Sequence, residues 1–149
     1  MAGNRFKAVT APISTGTAAK TLLQIVAASN HKVKIDEISI SFNGTSNTAE
    51  PIRVDVLRQT TAGTMSSLTL VKDPDDWAET IQTSAQHTAT GTEPTSGDIL
   101  LTEYVHPQQG YTWQAPFGRE IIIGGGDRLG IRVTAVASVN AVVRASGEE

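Results

Sequence analysis

Three histidines, a cluster of aspartates and a glycine run are the residues of this chain best equipped for chemistry. His31, His87 and His106 stand far apart, and none pairs with another at the i, i+2 or i, i+4 spacing that puts two imidazoles on one metal. The spacing assigns His31 to a turn, His87 to a loop and His106 to a strand end before Pro107. Asp73, Asp75 and Asp76 supply oxygen ligands of the kind calcium takes. The following residues lack the glycine at loop position six and the glutamate at position twelve that an EF-hand needs. A solvated turn is the reading that remains. Gly124-Gly125-Gly126-Asp127 resembles a phosphate loop only in composition. Nucleotide loops run from a strand into a helix N-terminus, whereas the flanking residues here are strand-like on both sides. The glycines are expected to supply positive φ in a hairpin connection. No G-x-S-x-G, H-E-x-x-H or Walker motif occurs, and no Ser/His/Asp set or acid pair can be nominated from spacing. The sequence therefore names no catalytic residue, no metal site and no cofactor, and the expectation is a protein that is not an enzyme.

Composition narrows the field further. The chain has 149 residues, no cysteine, 18% charged and 5% aromatic residues, and a formal charge of −3. Absence of cysteine removes disulfide frameworks, Cys-ligated zinc, iron–sulfur clusters and a thiol nucleophile. A slightly acidic chain lacks the global basic field of a nucleic-acid binder. No apolar run approaches the roughly 18–20 residues of a membrane span. Residues 1–10 carry two cations without an apolar stretch behind them, unlike a secretory signal. The expected partners thus include neither nucleic acid nor membrane. Asn43-Gly44-Thr45 is a formal glycosylation sequon, read here as a turn. Length suits one domain.

Alternation is the dominant pattern. Ile38, Ile40 and Phe42 alternate with Ser39 and Ser41, and Ile52, Val54 and Val56 alternate with Arg53 and Asp55; period two marks half-buried strands. Val33 and Ile35 lie on the opposite parity to Ile38, so the expectation is either one extra residue at Asp36–Glu37, a β-bulge, or else two strands or a strand that changes sheets. Strands are expected over residues 20–27, 32–43, 51–59, 65–72, 98–105, 111–113, 120–123, 128–136 and 140–145. The separators carry turn chemistry. Ser and Thr together fill 30 positions, in keeping with outward-facing strand positions. The expected fold is all-β, a jelly-roll-like antiparallel sandwich of about eight strands spanning residues 20–149. Residues 1–19 are expected as an extended arm. Residues 73–97 are expected as a long polar crossover, with Asp73 opening a turn and Pro74 at the first position of a short helix.

Several phrases of the chain then acquire a family likeness. They are KTLLQIVA at Lys20–Ala27, VKIDEISISFNGT at Val33–Thr45, PIRVDVLRQT at Pro51–Thr60, VHPQQGYTW at Val105–Trp113 and GGGDRLGIRVTA at Gly124–Ala135. Together they resemble the small β-rich virion proteins of tailed bacteriophages, in particular capsid decoration (cement) proteins with a jelly-roll body. The resemblance covers most of residues 20–145. It implies a non-enzymatic protein, assembled as a homotrimer, that binds the major capsid protein on the outer surface of the virion and stabilises the shell. On that reading the arm residues Arg5, Phe6, Lys7, Val9 and Ile13 are candidate contacts to capsid or sister subunit. Trp77, Tyr104 and Trp113 are candidate interface anchors, and Leu57 and Leu100 are further candidates for burial between subunits. The alternative is a binding module on a phage fibre, spike or tail, with Trp77 and Trp113 stacking on carbohydrate.

Overall fold

The computed structural model describes residues 3–44 and 50–149. Among them are thirteen strands and no helix. In chain order these are β1 (Arg5–Val9), β2 (Ile13–Ser14), β3 (Lys20–Val26), β4 (Val33–Phe42), β5 (Ile52–Gln59), β6 (Ser66–Leu68) and β7 (Val71–Lys72). They continue as β8 (Ser84–His87), β9 (Ser96–Val105), β10 (Gly110–Gln114), β11 (Ile121–Ile123), β12 (Arg128–Thr134) and β13 (Asn140–Glu148). They form two antiparallel sheets. One runs β10-β4-β13-β1-β7, with β11 also on β4 and β2 on β13; the other runs β6-β8-β3-β12-β5-β9.

The pairing is nested. β1 pairs with β13, β3 with β12, β4 with β10 and β11, and β5 with β9. Moving inward along the chain, successive pairs alternate between the two sheets. This is the winding of an eight-stranded jelly roll, with β10 and β11 together filling one strand position along β4 and β2, β6, β7 and β8 as short additions at its margins. The inward side chains of both sheets meet in one core, among them Ile35, Ile38, Ile40, Val143 and Ala145 facing Leu23, Ile25, Val54, Ile131 and Val133.

The expected bulge is present. Glu37 pairs with Ser146 and Ile35 with Gly147, leaving Asp36 as the extra residue. Its insertion keeps Val33, Ile35, Ile38 and Ile40 on one buried face, which a slip of register would otherwise turn outward.

The arm expectation is corrected. Residues 5–9 are extended, but they belong to the body as the strand that lies between β13 and β7. Phe6 is 1% exposed and Ala8 and Ile13 are buried with it. The physical reason is local: Phe6 pairs with Gly147, and a side chain at that glycine would come within 3.2 Å of the Phe6 ring. The glycine leaves the space that the ring fills. Burying a phenylalanine contributes about 1.5–3 kcal/mol, and with Ala8 beside it in the core it holds a strand that also carries two cations.

Four further expectations change. Residues 65–72 divide into β6 in one sheet and β7 in the other, so the chain changes sheets there. The crossover of residues 73–97 holds β8, paired between β3 and β6. No helix follows Pro74; the segment turns instead, with Trp77 N donating to Pro74 O at 3.4 Å. The Gly124–Asp127 stretch joins β11 in one sheet to β12 in the other, so it is a crossing between sheets and not a hairpin, with positive φ at Gly126.

The rest of the crossover roofs part of the outer face of the second sheet. Glu93 accepts hydrogen bonds from Thr21 N and Thr21 Oγ1, the latter at 2.8 Å. Gln59 Nε2 donates to Thr21 Oγ1 at 2.9 Å, and Gln24 Nε2 donates to Gln59 Oε1 at 2.8 Å and Thr61 O at 2.9 Å. Arg128 closes the set by donating to Gln24 Oε1 at 3.0 Å. Thr21, Gln24 and Gln59 are buried, and this network satisfies the polar groups whose desolvation would otherwise be costly.

Candidate interaction surfaces

The same sheet ends on its other side in a strand of a different kind. Among the described residues β9 pairs with β5 alone and forms the sheet edge. Most of its ten residues are exposed, including Ile99, Leu100 and Tyr104, the last at 70%. Val56 pairs with Leu101 and Leu57 with Ile99, so Leu100 is bulged out of the ladder. An edge strand presents unpaired backbone groups to other chains; bulges and charges moderate indiscriminate pairing. β9 has both, in the Leu100 bulge and in Asp98 and Glu103.

A buried ion network fixes β9 to its neighbours. Asp55 on β5 is 1% exposed. Its Oδ1 accepts from Arg53 Nε at 2.9 Å and from Thr102 Oγ1 at 2.8 Å, and its Oδ2 accepts from Arg132 Nη2 at 3.1 Å. Arg132 Nη1 also donates to Ser96 Oγ at 2.7 Å. Burial opposes the charge on Asp55, but the hydrogen bonds from Thr102, Arg132 and Arg53 outweigh it and hold the carboxyl below its usual range. The network spans β5, β9 and β12 and so sets where the β9 side chains stand.

At one end of these three strands lies a mainly apolar hollow of about 590 Å³, lined by Pro51, Tyr104, Thr134 and Val136 together with Glu50 and Arg53. Tyr104 and Val136 are both well exposed.

The outer face of the first sheet carries a second, polar depression of about 420 Å³. Arg5, Lys7 and Arg144 there face Asp36, Glu37 and Asp73, so the formal charges cancel. Arg5 Nη2 and Lys7 Nζ lie 2.9 and 3.0 Å from the Asp73 carboxylate, and Arg144 pairs with Glu37. The hydrogen bond from Lys7 and the charges of Lys7 and Arg5 keep Asp73 below its usual range. Arg5 and Lys7 thus hold the start of the crossover against β1.

The remaining sequence candidates divide by exposure. Phe6 and Ile13 are core residues, and the expectation that they meet a partner is corrected: they are spent inside the fold. Val9 is exposed on the outer face. Trp113 is partly buried against the core, because its partner Ile38 faces inward. Trp77 is half-buried in the crossover turn, where Lys72 Nζ donates to its carbonyl at 2.7 Å. Leu57 is buried within this chain, while Leu100 is exposed. Of the three aromatic anchors, Tyr104 alone projects freely. The three histidines are not brought together, and among the described residues no group of three or more His, Asp or Glu side chains could hold a metal ion. Gly44 N donates to Pro107 O at 2.7 Å; Thr45 of the sequon lies outside the described residues.

One exposed residue escaped sequence reasoning. Phe117 is fully exposed at the tip of the turn between β10 and β11. The signal was the Pro116-Phe117-Gly118 order, since Pro and Gly at the second and third positions, or a Gly at the third alone, mark type II turns and a turn tip has no core to bury an aromatic. Comparison with protein-family models, curated proteins and solved structures finds no match.

Proposed function

We propose that this chain is a structural binding protein that works as a homo-oligomer, a trimer on the family resemblance, and attaches to the major capsid protein on the outside of a phage shell. The observation that carries the reading is the β9 edge: a ten-residue strand whose Ile99, Leu100 and Tyr104 are exposed although its backbone is anchored by a buried ion network. A protein without a partner gains nothing from holding apolar side chains in water along an unpaired strand edge, whereas exposed apolar surface on such an edge suits a partner. The nested jelly-roll winding and the resemblance of residues 20–145 to decoration proteins support the same reading. Shell contacts would add to stability by mass action.

Co-sedimentation with purified capsid shells, alongside the mass of the free protein, tests the reading. Expected are an oligomer in solution and saturable attachment to shells. A strict monomer that stays in the supernatant contradicts it. The exposed Tyr104 ring favours one other reading, a carbohydrate-recognising module of a fibre, spike or tail. A glycan-array signal lost in Tyr104→Ala would favour that reading instead.

A further inference from the structure

We propose that the Phe117 turn of one copy seats in the Pro51–Tyr104–Val136 hollow of the next copy, and that repetition of this contact closes the oligomer into a ring. The inference rests on the homo-oligomer reading above and names its contact.

The turn is built to present a side chain. Arg119 N donates to Pro116 O at 2.8 Å, and Ala115 N donates to Asp36 O at 2.8 Å, tying the base of the turn to the β4 bulge. Gly118 has φ +77°, the left-handed conformation that the third residue of a type II turn requires. Phe117 precedes it and points into solvent. An aromatic side chain on a turn already fixed spares the loop-ordering part of the cost of association.

The hollow matches this knob in chemistry. It is lined mainly by apolar groups, its volume of about 590 Å³ admits an aromatic ring, and the exposed face of Tyr104 offers an aromatic partner. The flanking charges are complementary. Arg119 stands two residues beyond Phe117, and Glu50 lines the hollow; neither makes an ion pair among the described residues. Arg53, the other charged residue lining it, is already held by Asp55.

Placement sets the symmetry. The turn joins two strands paired to β4 in the first sheet, whereas the hollow is made by the ends of β5, β9 and β12 in the second. Phe117 does not reach the hollow of its own chain, since it is fully exposed. Knob and hole lie on different sheets, and the contact proposed is one-way, each copy giving its turn to the next, which closes as a ring; reciprocal exchange between two copies would instead give a two-fold dimer and would overturn the ring.

Native mass spectrometry of the full chain, of Phe117→Ser, of Val136→Asp and of their equimolar mixture tests this. Both substitutions are at exposed positions, and circular dichroism should stay unchanged. The wild type is expected as a ring. Each variant alone is expected as a monomer, with association weakened by at least about thirtyfold. The mixture is expected to yield a heterodimer, because one variant keeps the knob and the other the hole. Variants that retain the wild-type mass, or a mixture without heterodimer, overturn the lock while the homo-oligomer reading stands. A wild type that is monomeric at every concentration overturns both.

Discussion

β1 and β9 look alike in length of exposure to expectation but have traded places. RFKAV is a short segment with two cations near the start of the chain, and it lies inside a sheet with a strand on either side. SGDILLTEYV is the more apolar segment, and it lies at a sheet edge with Ile99, Leu100 and Tyr104 in solvent. The difference shows that a strand's position follows from what its inward side chains meet and not from its mean polarity. Phe6 and Ala8 alternate into the core while Arg5 and Lys7 face out and hold Asp73. In β9 the Leu100 bulge breaks the alternation, so apolar residues reach both faces and only Val105 is buried.

The contrast can be broken most severely at β1. Phe6→Asp should unfold the protein, because a buried unpaired carboxylate cannot be accommodated there; loss of the cooperative urea transition is the readout. Phe6→Ala should retain the fold and lower unfolding stability by about 3–5 kcal/mol. Deleting residues 1–9 should behave like Phe6→Asp and not like trimming of a free arm.

The next effect is at the network that anchors β9. Asp55→Ala should cost about 2–3 kcal/mol, by leaving Arg132 without its partner in a largely buried setting. Acid should act in the same direction. Asp55 has a carboxyl pKa below its usual value, and so has Glu149, where burial is outweighed by hydrogen bonds from Thr83 and Gln82. A lowered folded-state pKa means that the stabilisation is present above the unfolded value and is lost as pH falls through the folded one. Urea midpoints should therefore decline from about pH 4 downward.

The smallest effect on stability is expected on β9 itself. Leu100→Lys should change unfolding stability by less than about 0.5 kcal/mol, as surface substitutions do, while reducing oligomer mass and shell attachment. The opposite outcome, a destabilised monomer with normal assembly, would make β9 a structural strand only.

Most of the jelly roll was legible in the sequence. Clean alternation located β4, β5 and β12, and the parity change at Asp36 located the bulge. β1 was missed because the exposed Val9 blurs its alternation and the surrounding Ala/Thr residues suggest an arm. β8 has a single buried apolar residue, Ala85, so no hydrophobic period marks it. Its position comes from pairing with β3, which no local pattern encodes. The candidate surface was legible only in part. Tyr104 and Leu100 stood out by type, but the hollow is assembled from Pro51, Tyr104 and Val136 at the ends of three strands far apart in the chain. Trp113 was drawn inward by its pairing with Ile38, a long-range fact. The crossover's polar residues turned out to cover the second sheet, where Glu93 and Gln59 satisfy Thr21.

Amide hydrogen exchange followed at several protein concentrations tests the central claim most directly. The account predicts that β1 amides are protected to the global limit at every concentration, and that amides in β9 and the 115–120 turn become protected only where the oligomer forms. Rapid exchange throughout β1, or β9 and turn amides indifferent to association, would contradict it.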